Sequence, residues 1–189
     1  TAVGYRSLRA NTSGTQNVGV GVDALLFTTT GSQNTAVGYQ SMNSNATGSN
    51  NSALGWGALL GVQGSNNSAL GYQAANQTSS GGNNVAIGHQ SLLANTTGSG
   101  NVALGNSSLA GMGTGSFNIA IGSQALQQNV SASEIIAIGH YAALNTNAAN
   151  NIAIGGLSLY DNVSGTNNVS LGYESLRKNT ASNNTAVGF

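Results

Sequence analysis

The chain has no cysteine and no proline, and only 4% of its 189 residues are charged. Without cysteine there are no disulfides, no thiolate nucleophiles and no thiolate metal sites. The charges cancel to a net of zero and gather near the ends: Arg6, Arg9 and Asp23 at one, Asp161, Glu174, Arg177 and Lys178 at the other, with Glu134 between. No basic stripe is present to neutralise phosphates, so no nucleic-acid partner is expected. No apolar run approaches the ~18 residues that cross a bilayer, so direct membrane insertion of this segment is not expected either. No leader of charged, then apolar, then small residues opens the chain, which places any export signal outside it. Aromatics amount to 5%, too few for the large side chains that fill an ordinary globular core. Polar chains of low complexity are often disordered, but here the spacing of the residues argues for order.

What is abundant is glycine, asparagine, serine, threonine and alanine, arranged with a period. A glycine recurs at Gly4, Gly21, Gly38, Gly55, Gly71, Gly88, Gly105, Gly122, Gly139, Gly155, Gly172 and Gly188, always 16 or 17 residues from the last. The residue before this anchor is Val, Leu or Ile without exception, and the one before that is Ala in ten of twelve cases, with Gly19 and Ser170 as the others. Three before the anchor stands Thr, Ser, Val or Ile. Such a pattern predicts a short strand with a tiny residue on one face and two larger ones on the other. Three and four residues after the anchor come Ala or Ser and then Leu or Met, a second segment expected to be buried; Ala75 and Ala143 depart from it, and Leu144 follows the latter.

Polar columns mark the corners. Seven before each anchor stands Gly in eight rungs, including Gly14, Gly31, Gly48, Gly81, Gly98 and Gly165, where a turn needs positive φ or close backbone approach. Four before the anchor is an asparagine in ten of eleven rungs: Asn17, Asn34, Asn51, Asn67, Asn84, Asn101, Asn118, Asn151, Asn168 and Asn184, interrupted only by Ile135. These are expected to form a ladder, bonded to one another along the array and to turn backbone. A looser second column, Asn11, Asn45, Asn95, Asn129, Asn145 and Asn162, is expected to serve another corner.

The fold class that follows is all-β, a parallel solenoid of eleven rungs forming one continuous array over residues 1–189, roughly 50 Å long at ~4.8 Å per rung. The chain starts and stops at the same point of its repeat, as a fragment of a longer fibre protein would. With so thin a core, and with the Val/Leu/Ile column facing away from the Ala column, another surface is expected to cover that face. Self-association around a common axis would supply one.

Segments such as Asn34-Thr-Ala-Val-Gly-Tyr-Gln-Ser-Met42, Asn84-Val-Ala-Ile-Gly-His-Gln-Ser-Leu92 and Asn118-Ile-Ala-Ile-Gly-Ser-Gln-Ala-Leu126 resemble the head repeats of trimeric autotransporter adhesins, and similar arrays occur in phage tail fibres. The resemblance implies a left-handed parallel β-roll assembled as a homotrimer, extracellular, in a bacterial surface fibre or a virion tail fibre. Its partners would be two further copies of itself and a host surface protein or glycan. The rungs here are longer than those of typical adhesin heads.

The position after the anchor varies most. Tyr39, Trp56 and Tyr72 place an aromatic strip on three successive rungs, suited to contact with a sugar or a protein, or simply to covering an edge. His89 and His140 share that column three rungs apart, ~14 Å by strand spacing, too far to hold one metal ion together. Asp23, Glu134, Asp161 and Glu174 fall on different rungs, so no acid and base pair is evident. No nucleophile elbow, phosphate loop or calcium repeat is recognisable. The expectation is a structural or adhesive protein and no enzyme, with no cofactor and no metal. A second reading is an ice-binding solenoid, prompted by Thr29, Thr30, Thr47, Thr96, Thr97, Thr114 and Thr146, though Gln63, Ser79, Val130 and Val163 break their regularity.

Overall fold

The computed structural model describes all residues 1–189, and every strand falls where the anchor glycines predict. The strands are β1 (Ala2–Val3), β2 (Val18–Val20), β3 (Thr35–Val37), β4 (Ser52–Leu54), β5 (Ser68–Leu70) and β6 (Val85–Ile87). They continue as β7 (Val102–Leu104), β8 (Ile119–Ile121), β9 (Ile136–Ile138), β10 (Ile152–Ile154), β11 (Val169–Leu171) and β12 (Thr185–Val187). All twelve join in sequence order into one parallel sheet, with equivalent columns opposite one another: Ala36 beside Ala53, Val37 beside Leu54, Ala86 beside Ala103. The fold is therefore an all-β parallel solenoid, and the alternation within each strand sorts its faces. Ala36, Ala86, Ala103, Ala120, Ala137 and Ala153 are fully buried, whereas the residues on either side of them point outward.

Behind the sheet, the second buried segment supplies the bulk of the core. Leu25, Met42, Leu59, Leu92, Leu109, Leu126 and Leu159 have no solvent exposure and stack rung upon rung against the alanine column. Their backbone was not foreseeable from side-chain type. Leu25, Leu92 and Leu126 have φ of 53°, 52° and 54°, as do residues two positions earlier, such as Gln90 at 53° and Gln124 at 56°. A left-handed conformation costs an L-residue roughly 1–2 kcal/mol, so the array must over-determine it.

The hydrogen bonds show how. Gln90 N–H donates back to Tyr72 O at 2.9 Å, while Leu92 N–H donates forward to Ser108 O at 2.9 Å. The amides of the two left-handed residues thus point at opposite neighbours, one at the rung below and one at the rung above, while the amide between them turns back within its own rung, as Ser91 N–H does to Gly88 O at 3.4 Å. Of 121 backbone hydrogen bonds, 21 lie within the strands, and many of the other 100 also join neighbouring rungs, so the corners bind the array together as well as the sheet does.

The two glycine columns meet different demands. The anchors take φ near +130°, and a Cβ on Gly105 would stand 2.6 Å from Gly122 O and 2.7 Å from its carbonyl carbon. The corner glycines have no such φ; close approach decides there, since a Cβ on Gly98 would press on the backbone of Gly115 and on Asn95 Oδ1.

Candidate interaction surface

The asparagine ladder turns out to be a device of the interior. Asn34, Asn51, Asn67, Asn84, Asn101, Asn118, Asn151 and Asn168 are all buried. Each reaches one rung along the rod by both ends of its amide. Asn101 Oδ1 accepts from Asn118 N–H at 2.9 Å, and Asn101 Nδ2 donates to Gly115 O at 2.9 Å. Direct bonds between neighbouring side chains also occur, as from Asn84 Nδ2 to Asn67 Oδ1 at 3.1 Å, but the backbone contacts recur in nearly every rung. At the interruption, Ile135 N–H still donates to Asn118 Oδ1 at 3.0 Å. Ile135 cannot serve the next corner in turn, and Asn151 Nδ2 bends back to Ala148 O at 2.7 Å while still reaching Gly165 O.

The second asparagine column converges on the same corner carbonyls. Gly98 O accepts from Asn84 Nδ2 at 2.9 Å and from Asn95 Nδ2 at 3.0 Å; Gly48 O likewise accepts from Asn34 and Asn45. Asn145 does not belong to this column. It stands one residue early, because Thr146 occupies the buried place, and its amide instead donates to Asp161 Oδ1 at 2.6 Å.

A third ladder went unrecognised in the sequence. Six residues before the anchor stand Ser32, Ser49, Ser65, Ser99, Ser116, Ser133 and Ser182, whose hydroxyls accept backbone N–H groups from the preceding rung, as Ser116 Oγ does from Ser99 N–H at 3.0 Å. Its signal was the recurrence of Ser at one column, hidden among the many other serines.

With these columns engaged inside the rod, two features of the outside remain. The first is the aromatic row, where the structure brings the predicted residues together and extends the strip by one. Tyr39 and Trp56 have ring centroids 6.0 Å apart, Trp56 and Tyr72 5.0 Å, and Tyr72 and His89 5.1 Å, all within 13° of parallel. Each of the four is exposed. Their inner faces lie against one another, so this stack offers a ligand its edges and its two end faces only. His140 turns toward Tyr141 instead, and Tyr173 stacks on Phe189 at 5.8 Å.

The second feature is the outer face of the sheet. Val3, Leu54, Leu70, Ile87, Ile121, Ile154, Leu171 and Val187 are all exposed, Leu54 to 49% and Ile87 to 42%. Over β3 to β6 this face holds an apolar groove of about 320 Å³ between Thr35, Ser52 and Ser68 and the Val37, Leu54, Leu70, Ile87 column. Nothing in the chain covers it.

No family model fits the chain, and no curated sequence or solved structure matches it at a significant level.

The charged and hydroxyl side chains are mostly tied into the rod. Asp23, buried, accepts two bonds from Arg6 at 2.7 Å each, and the guanidinium holds its carboxyl below the usual carboxylate range. Arg177 pairs with Glu174 at 2.9 Å, and Asp161 takes the Asn145 amide. The threonines scatter: Thr146 is buried, and Thr29 and Thr96 donate their hydroxyls to Ala46 O and Gly113 O. They form no common flat lattice.

Proposed function

We propose that this chain is a segment of a surface fibre, a structural and adhesive rod and not an enzyme, which works as a self-assembled bundle. The observation that carries the reading is the unbroken column of Val, Leu and Ile along the outer sheet face, every member exposed or half-buried. Eleven strands of three residues and one of two make a face roughly 10 Å by 55 Å, about 550 Å² per copy and about 1,100 Å² for a pair. That reaches the ~1,000 Å² expected of a specific interface, and ~550 Å² lies at the upper end of the largest apolar patches on monomers, which are often functional.

The resemblance of the Asn-x-Ala-Val/Ile-Gly rungs to trimeric adhesin heads favours three copies and a left-handed roll, placed outside the cell or on a virion tail. In that arrangement the apolar faces turn to one another and the exposed corners turn outward. The aromatic stack at Tyr39, Trp56, Tyr72 and His89 would present ring edges to a host protein or glycan. The small number of exposed charges makes contact by the rod largely independent of salt.

Light scattering at micromolar concentration tests the assembly, with a mass of three chains expected. A monomer whose mass does not change with dilution or concentration would defeat the reading.

A further inference from the structure

The outer sheet face changes character along the rod. At the first position of each strand the residue is Val18, then Thr35, Ser52 and Ser68, then Val85, Val102, Ile119, Ile136, Ile152 and Val169, with Thr185 at the end. Thr35, Ser52 and Ser68 are exposed and make no hydrogen bond within the chain through their hydroxyls. Their small size also lowers the surface: Ala53 and Ala69, beside them, are 3% and 4% exposed, whereas the alanines of β6 to β10 are at 0%. Three unpaired hydroxyls thus stand in a row, on consecutive rungs, and the first position is aliphatic throughout β6 to β11.

We propose that Thr35, Ser52 and Ser68 set the axial register and direction in which copies of this chain pack, the occupant of the groove being the same segment of a second copy. The proposal rests on the self-association reading above and adds to it which residues align the copies. Burying a hydroxyl against Val or Ile removes its water and supplies no partner, whereas a hydroxyl of the neighbouring copy at the same height can donate and accept. Cyclic symmetry places identical rungs at identical heights. Hydroxyl then faces hydroxyl over β3 to β5, and Val or Ile faces its like from β6 to β11. A slip of one rung sets Ser68 against Val85 or Thr35 against Val18. A fully overlapping antiparallel arrangement sets β3, β4 and β5 against β10, β9 and β8, opposing the three hydroxyls with Ile152, Ile136 and Ile119. Among arrangements that overlap the whole length of the sheet, only the parallel, in-register bundle leaves none of the three hydroxyls opposite an aliphatic side chain.

The absence of cysteine makes this testable by cross-linking. Chains carrying a single cysteine at Val102 are mixed with chains carrying one at Val102, Ile119 or Ile136, and treated with a short bifunctional maleimide. Cross-links confined to the Val102 pair are expected. In the Thr35→Val, Ser52→Val, Ser68→Val background, which keeps the strand-favouring residue type found elsewhere in this column, the offset cross-links rise several-fold while the oligomer mass is kept. A Ser52→Thr, Ser68→Thr variant retains the hydroxyls and keeps the original pattern. An oligomer whose cross-links are equally confined after the valine substitutions, or already spread over several rungs before them, would overturn the register proposal alone. A monomer would overturn the self-association reading with it.

Discussion

Replacing Asn101 with alanine should destabilise the rod more than the same change at Asn84, although both residues occupy the same column and both are buried. At Asn101 the substitution removes the acceptor of Asn118 N–H and the donor to Gly115 O. Gly115 O has no second side-chain donor, because the place filled elsewhere by an asparagine holds Met112. Two buried backbone groups are left unpaired, at about 1–3 kcal/mol each, so the loss should be about 2–6 kcal/mol. At Asn84 the change also strands one amide, that of Asn101, but Gly98 O keeps its bond from Asn95 at 3.0 Å. Its cost should be nearer 1–3 kcal/mol. Urea unfolding followed by circular dichroism, at one fixed protein concentration so that association contributes equally, compares the two. Amide exchange at Asn118 provides a local readout that does not depend on two-state unfolding, which repeat arrays can violate. Equal destabilisation by the two variants, or a loss below about 0.5 kcal/mol for Asn101→Ala, would refute the reasoning, since it would mean that the ladder's bonds to backbone are readily replaced by water.

Other expectations follow from the same geometry. Gly105→Ala puts a methyl 2.6 Å from Gly122 O at a φ of +134°, and the variant should lose cooperative unfolding or accumulate as aggregate, as size-exclusion chromatography would report. Leu92→Ala empties a fully buried site and should cost about 2–5 kcal/mol by denaturant titration. The carboxyl of Asp23 is held below its ordinary value of 3.8 chiefly by its hydrogen bonds from Arg6, so its contribution to stability is present above that value and lost as pH falls through the lowered one. Arg6→Gln should therefore flatten the decline in melting temperature on the acid side of about pH 4, and a decline of unchanged steepness would show the pair to be inert.

The sequence alone was sufficient for the strands, the buried columns and the asparagine ladder, all of which repeat with the period. Each rung touches only its neighbours, so each column faces the same packing problem and reaches the same answer. The Ala column had to be inside because only Ala, Gly or Ser stands there, small enough for the narrow coil interior, and the residues on either side of it had to be outside because strand side chains alternate. The spacing of the anchor glycines places every strand, and the column from Asn17 to Asn184 marks a ladder.

What the period could not convey was where atoms 16 or 17 residues away would lie. The left-handed backbone at Leu25, Leu92 and Leu126 runs against the preference of leucine and is imposed by amides that must reach alternately up and down the rod. Likewise, Tyr39, Trp56 and Tyr72 shared a column in the sequence, but only stacking at 5–6 Å showed their inner faces covered and His89 joined to them. Asn145 stands six residues after its anchor where the rest of its column stands seven after, and the structure shows that Thr146 takes the buried place there. Column identity is a local property of the chain; the direction a group faces is decided by the rung above it and the rung below.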